Sequence, residues 1–323
     1  VSGRRDTGTK DSMPEKFEKL AFPVVLDGGL SNLLEARGCD LKQKLWCAEM
    51  LRSNPEAIVE AHLAYLRAGA EIITTASYQA SIPGFVEAGL SAVEGEALLL
   101  RSVELADRAR EIFREERNSD GCKALVAASI GPYGAYLADG SEYTGNYSAT
   151  DAELREFHCA RLRCLAQCGA DLLAIETQPC LREIAILADL LADIEMPTWV
   201  SFCCRDANHL HDGSFLHEAI AAFKDVKSVF AIGANCTAPS HISEIIRLVK
   251  QEAPGNRVIV YPNSGEVYHA STGTWLGLSE PSGFRSMAAD WIAEGADIIG
   301  GCCRIGPAHI ATLREQVATA RRS

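Results

Sequence analysis

No run of eighteen apolar residues occurs in the chain, so nothing in it crosses a bilayer as a helix. Positive charge is scarce. Lys plus Arg number 31 against 43 Asp plus Glu, a formal charge of -12. That balance argues against nucleic acid or an anionic membrane as the main partner, though not against a local basic pocket. The first twenty residues lack the apolar stretch of a secretory signal. Residues 1–19 therefore read as a flexible leader, residues 20–323 as one domain, and the setting as cytoplasmic. No Pro- or Ser-rich linker divides the chain. Its 47% hydrophobic and 23% charged residues are those of a globular protein, and 323 residues can bury a sizeable core.

Cysteine is not scarce: there are 12. An even count suggests disulfides mainly in short secreted chains. Here most thiols read as small buried hydrophobes, with a few left as candidate metal ligands. Cys164 and Cys168 stand one helical turn apart, a spacing more typical of core than of a ligand pair.

A short repeat organises the chain. Ala68-Gly69-Ala70-Glu71-Ile72-Ile73 returns as Cys168-Gly169-Ala170-Asp171-Leu172-Leu173 and as Glu294-Gly295-Ala296-Asp297-Ile298-Ile299. Each copy reads as a helix ended by a left-handed Gly, a tight turn and a buried strand. Apolar runs predict eight strands: Val24–Asp27, Ile72–Thr75, Leu125–Ile130, Leu172–Glu176, Thr198–Phe202, Phe230–Gly233, Val258–Tyr261 and Ile298–Gly300. They lack strict alternation, as strands covered on both faces do. Helices are predicted from Asn54-Pro55 to Gly69, from Thr150 to Gly169, from Pro239 to about Gln251 and after Pro307. Eight β/α units predict an α/β fold, the (β/α)8 TIM barrel. The rival open sheet is disfavoured, because Asp27-Gly28-Gly29-Leu30-Ser31 lacks G-x-G-x-x-G spacing. The Gly- and Tyr-rich segment Gly134–Tyr147 reads as a loop over the barrel mouth.

Barrel chemistry collects where strands end. Those ends carry Asp27, Tyr78, Glu176, Cys203-Cys204, Cys236, Asn263 and Cys302-Cys303. The glycines Gly300-Gly301 before Cys302-Cys303 allow a sharp turn or a close approach to a ligand. Adjacent cysteines, with Cα atoms only ~3.8 Å apart, are poorly placed to pair with each other. Together with Cys236 they offer three thiols to a tetrahedral metal with one position open. From spacing alone, three unrelated buried thiols fit equally well, and Cys203-Cys204 competes as a ligand source. His209 and His211 read as a solvated turn. Asp27 and Glu176 fit an acid/base pair, a clamp for a substrate ammonium, or, for Asp27, a loop cap. A zinc ion on three thiolates is a poor Lewis acid but holds a further thiol as thiolate, which favours alkyl transfer to sulfur over hydrolysis.

Asp27-Gly28-Gly29, Glu176-Thr177-Gln178-Pro179, Gly233-Ala234-Asn235-Cys236 and Gly300-Gly301-Cys302-Cys303 resemble the homocysteine S-methyltransferase family over residues 20 to 320. The resemblance implies a barrel with Zn2+ on Cys236, Cys302 and Cys303, and the homocysteine thiol at an open metal position. It implies that Asp27 and Glu176 hold the substrate amino group, that Trp46 and Tyr78 line the pocket, and that the Tyr78 hydroxyl lies near the metal. The partners it implies are homocysteine and a sulfonium methyl donor; separately, the protein is expected as a monomer. The E-T-x-P segment and the short stretch after Cys303 resemble the branch using S-methylmethionine, with S-adenosylmethionine as secondary donor. The betaine and selenocysteine variants are the alternatives within the family. No D-x-H-x-x-G cobalamin signature is found. A zinc-dependent lyase or hydrolase on the same barrel is the alternative from another class.

Overall fold

The computed structural model describes residues 20–41, 45, 47–117, 124–265, 267–269, 274–276 and 280–322; the leader 1–19 lies outside the described residues. In chain order the strands are β1 (Val24–Val25), β2 (Ile72–Thr74), β3 (Leu125–Ile130), β4 (Leu172–Gln178), β5 (Thr198–Phe202), β6 (Val229–Asn235) and β7 (Arg257–Tyr261). There follow a small antiparallel pair, β8 (Val267–His269) with β9 (Thr274–Leu276), and then β10 (Ile298–Ile299). The main sheet has the order β1-β10-β7-β6-β5-β4-β3-β2, with every neighbouring pair parallel.

Its two ends meet. Glu71 N donates to Val25 O at 2.7 Å and Asp27 N to Ile72 O at 3.1 Å, with a parallel bridge between Leu26 and Ile72. The eight-stranded sheet is therefore a nearly closed (β/α)8 barrel, as the sequence predicts.

The strands form where the apolar runs lie, because each is covered on both faces. Inside the barrel, Leu26, Leu125, Ala127, Leu172, Ala174, Trp199 and Ile259 pack on one another. The opposite faces of the same strands, among them Val126, Leu173 and Ile232, pack against the helices. The two-residue period of a strand then decides what comes next on the inner face. Ser129 follows Ala127, Glu176 follows Ala174, Ser201 follows Trp199 and Tyr261 follows Ile259. The inner face is apolar at the bottom and polar at the top, and the polar floor of the site is a continuation of the core.

The helix Pro55–Ala68 begins at Asn54, whose side chain accepts from Ala57 N at 3.3 Å, and ends at Gly69 with φ 108°. Gly295 ends the helix Pro281–Glu294 in the same way, with φ 105°. The second copy of the repeat differs. The helix Asp151–Leu165 stops before Cys168, and Gly169, with φ 86°, sits in the turn beyond it. The segment after β3 is not plain loop either. It carries a short helix, Tyr133–Leu137, and a 3-10 turn, Ser141–Tyr143.

Candidate active site at the mouth of the barrel

A cavity opens at the C-terminal ends of the strands, where barrel enzymes hold their small-molecule sites. Asp27, Tyr78, Glu176, Cys236, Cys302 and Cys303 all line it. Trp46 lies outside the described residues. Among the described residues, no Lys, Arg or His lines it.

The Sγ atoms of Cys236, Cys302 and Cys303 lie within 4.8 Å of one another, the sole such group of three among the described residues. Cys236 ends β6, and the other two follow β10. Cys236 and Cys302 are joined as a disulfide, and Cys303 Sγ lies 4.0 Å from Cys236 Sγ. With the Cys236–Cys302 bond reduced, three thiols at one point are a soft donor set that suits a thiophilic ion such as zinc. Burial pushes the Cys303 thiol up, and a hydrogen bond with the Tyr143 hydroxyl opposes that.

The loop carrying Cys302 and Cys303 is held from two sides. Cys302 N donates to Pro262 O at 2.8 Å, Cys303 N to Asn263 Oδ1 at 3.2 Å, and Ser264 N to Cys303 O at 3.1 Å. From the first strand, Gly301 N donates to Asp27 O at 3.0 Å. Neither Gly300 nor Gly301 has positive φ. Their need for a missing side chain is one of space: a Cβ on Gly300 would meet Asp27 O, and one on Gly301 the Ile305 side chain. The left-handed residues at this end are Cys236, Thr177 and Arg304, with φ 47°, 63° and 65°.

Asn235 ties these parts together. Its Oδ1 accepts from Thr177 N and from Ser201 Oγ, both at 2.8 Å, and its Nδ2 donates to Thr177 Oγ1 at 2.7 Å. Nδ2 also points at Cys302 Sγ, 3.9 Å away. One buried amide thus links β4, β5 and β6 to the thiol cluster.

The two predicted carboxylates are nearly closed to solvent. Asp27 Oδ2 accepts from Thr74 N at 2.7 Å, and Thr74 Oγ1 donates to the same carboxylate at 3.1 Å. Glu176 accepts from Ser129 Oγ and, at 3.0 Å, from Tyr261 Oη. Tyr261 is itself set by Trp199 Nε1, which donates to its oxygen at 3.0 Å. Burial raises both carboxyls above their usual range, and each hydrogen bond works against that. Glu176 also raises Asp27, like charge on like charge. Two desolvated carboxylates with no cation beside them among the described lining residues suit a ligand that brings one.

Tyr78 is held through its backbone. The buried guanidinium of Arg161 donates to Ser77 O, Tyr78 O and Gly131 O at 3.2, 2.8 and 2.8 Å. The Tyr78 phenol faces the Thr177 side chain, and burial pushes it well up. Cys203 and Cys204 are buried and are not among the three grouped sulfurs, although Cys203 Sγ donates to Cys236 O at 3.5 Å beside them. His209 Nδ1 is engaged by Asp206 at 2.9 Å in its own turn. Sequence reasoning did not single out Thr74, Ser129, Asn235 or Tyr261 as partners. Their signal was present in the alternation that puts the strand-end residues on the inner face.

Fold and site together define a barrel enzyme with a thiol cluster and buried carboxylates around one small-molecule cavity. Comparison with known proteins gives the family. The homocysteine S-methyltransferase profile matches residues 24–317. Homocysteine S-methyltransferase of Escherichia coli is 45% identical over 296 residues, 90% of this chain and 94% of that protein. Homocysteine S-methyltransferase YbgG of Bacillus subtilis is 43% identical, covering 89% and 92%. Among solved structures, the metallated form of the homocysteine methyltransferase MmuM from Escherichia coli superposes with a TM-score of 0.82 at 42% identity, covering 93% of this chain and 98% of that one. The chain belongs to the homocysteine S-methyltransferase family, and it is an enzyme of that class.

Proposed function

We propose that this enzyme uses Zn2+ on Cys236, Cys302 and Cys303, and that its methyl donor is a sulfonium: S-methylmethionine first, S-adenosylmethionine second. The observation that carries the reading is the meeting, in one cavity with no basic residue among those described, of three cysteine sulfurs and two buried carboxylates. When bound, zinc would supply the lowered thiol pKa that makes a thiolate available at neutral pH.

The chain's own residues do the rest. Asp27 and Glu176 receive the homocysteine ammonium, whose charge offsets the burial of theirs. Thr74, Ser129 and Tyr261 fix those carboxylates before the substrate arrives, which saves reorganisation on binding. Asn235 holds the turn that bears Thr177 and stands against Cys302. The homocysteine sulfur, its proton lost, attacks the sulfonium methyl carbon in line with the departing sulfur. One C–S bond forms as the other breaks, and the electron pair of the broken bond stays on the methyl donor's sulfur. With S-methylmethionine both products are methionine, and neither carries the sulfonium charge. A reduced thiol cluster of this kind suits the cytoplasm.

Methionine formation by the reduced, zinc-loaded enzyme tests the reading, with homocysteine plus S-methylmethionine, betaine or S-adenosylmethionine in separate reactions. Turnover with S-methylmethionine is expected. Turnover with betaine alone would keep the acceptor chemistry and overturn the choice of methyl donor. No methionine from any of them, with zinc in place, would overturn both.

A further inference from the structure

The cavity contains a third carboxylate, Glu142, which no sequence motif marks. It sits in the 3-10 turn Ser141–Tyr143. Its backbone is fixed by hydrogen bonds within the turn, and its carboxylate accepts from the backbone N–H groups of Gly140 and of Glu142 itself. The Asp139 carboxylate accepts from Ser141 N at 2.9 Å. Tyr143 N donates to Gly140 O at 3.0 Å, and Gly145 N to Ser141 O at 2.8 Å. Gly134 packs so closely beneath this turn that a Cβ there would run into the backbone of Ser141 and Glu142.

The carboxylate held in this way has an unused acceptor. Glu142 Oε2 is shut off from solvent and has no hydrogen-bond partner. Burial pushes the Glu142 carboxyl up, as it does those of Asp27 and Glu176. Its neighbours differ from theirs. Asp27 feels the charge of Glu176. The charge of Glu142 is felt at Tyr78, Tyr143 and Cys303. The carboxylates therefore form two groups, a pair at the ends of β1 and β4 and a single one on the thiol side under the mouth loop. A desolvated carboxylate oxygen without a partner is costly to keep. No basic side chain among the described residues lines the cavity, so a donor carried by a ligand is the partner that fits this oxygen.

The charges of the substrates complete the argument. Homocysteine brings one ammonium, for which Asp27 and Glu176 are placed. An amino-acid sulfonium brings two cationic centres, its sulfonium and its α-ammonium. A sulfonium has no hydrogen to donate and cannot satisfy an orphan acceptor. An ammonium has three. We infer that Glu142 is a specificity-determining residue for the methyl donor, accepting a hydrogen bond from the α-ammonium of the sulfonium amino acid. The inference rests on the choice of methyl donor proposed above. It adds that the site reads the amino group of that molecule as well as its reactive methyl, and so selects against sulfonium or quaternary ammonium acids that lack N–H.

The test compares wild-type and Glu142→Gln enzymes, both zinc-loaded, with two methyl donors. One is S-methylmethionine. The other is dimethylsulfonioacetate, which has a sulfonium and a carboxylate but no ammonium. Loss of a charge-assisted hydrogen bond lowers kcat/KM for S-methylmethionine by about 10- to 100-fold, mostly through KM. With dimethylsulfonioacetate, read as Ki if it is not turned over, the change stays below about threefold, because no hydrogen bond is lost. The KM for homocysteine and the zinc content stay at wild-type values. An equal loss with both compounds would show a structural role and overturn the inference, as would no loss with S-methylmethionine. If the wild-type enzyme turns over neither sulfonium, the proposed methyl donor is wrong, and calorimetry with S-methylmethionine decides the inference separately. Binding about tenfold weaker to Glu142→Gln supports it; equal Kd values, or no binding to either protein, overturn it.

Discussion

Replacing Glu176 by Gln is expected to move stability and substrate affinity in opposite directions. The side chain is 8% exposed and accepts from Ser129 and Tyr261. Glutamine keeps the shape and one acceptor oxygen. Its NH2 would face a hydroxyl, and a hydroxyl can turn to accept. The lost quantity is the charge. In the protein without substrate that charge is desolvated, has no cationic neighbour among the described lining residues and repels Asp27. Removing it stabilises the fold by about 1–2 kcal/mol, or roughly 2–5 °C in Tm. The sign depends on pH. Burial raises this carboxyl in the folded state, so the folded wild type binds its proton more readily than the unfolded chain does. Its stability relative to Glu176→Gln is therefore greatest below the ordinary carboxylate range and falls as pH rises through the raised value. The Tm advantage of the variant should be small at pH 4.5 and largest at pH 8. Homocysteine affinity goes the other way. Loss of a charge-assisted hydrogen bond to the ammonium weakens binding by about 1.5–3 kcal/mol, or roughly 10- to 150-fold. Differential scanning calorimetry across pH and titration of homocysteine into zinc-loaded enzyme measure the two effects. A variant that is less stable at pH 8, or that binds homocysteine with wild-type affinity, would refute the clamp.

Three more expectations concern other parts of the molecule. Cys236→Ala and Cys303→Ala should each lose zinc on gel filtration and lose methyl transfer with it, and peroxide should do the same to the wild type; a fully active, zinc-loaded variant would sink the assignment. Asn235→Ala leaves the buried Thr177 N–H without its acceptor and frees Ser201, which should destabilise the fold by roughly 2–4 kcal/mol in urea titration; a change under about 1 kcal/mol would remove Asn235 as a brace. His62 is fully buried, neither ring nitrogen has a partner, and burial lowers its pKa to about 4. The stability it contributes is present above its ordinary value near 6.5 and is lost as pH falls through 4, about 3 kcal/mol in all. His62→Met should flatten the fall in Tm between pH 7 and pH 4, and an unchanged slope would show that another group sets it.

Much of the site was legible from strand ends alone. Asp27, Glu176, Cys236 and Cys302-Cys303 each stand where an apolar run stops, and a barrel gathers all such points at one mouth. The glycines were legible as places needing a small residue, but the reason changed. Gly300 and Gly301 are needed for packing against Asp27 and Ile305, whereas the left-handed backbone falls on Cys236, Thr177 and Arg304. The end of the helix Asp151–Leu165 was misjudged, because a Gly in the turn beyond it looks in sequence like a helix cap. The Cys236–Cys302 pairing was not foreseen, and Trp46 lies outside the described residues.

Local chemistry by itself determined the repeated β/α units, the barrel they close into and the residues at each strand end, because periodicity and helix stops act over a few neighbours. Only the tertiary structure decided which of those residues meet. Sixty-six residues separate Cys236 from Cys302, 85 separate Glu176 from Tyr261, and Glu142 reaches the cavity from a loop that no periodicity describes. Such contacts depend on how the sheet closes and how the mouth loop folds onto it. Those are properties of the packed barrel, and no single segment of the chain carries them.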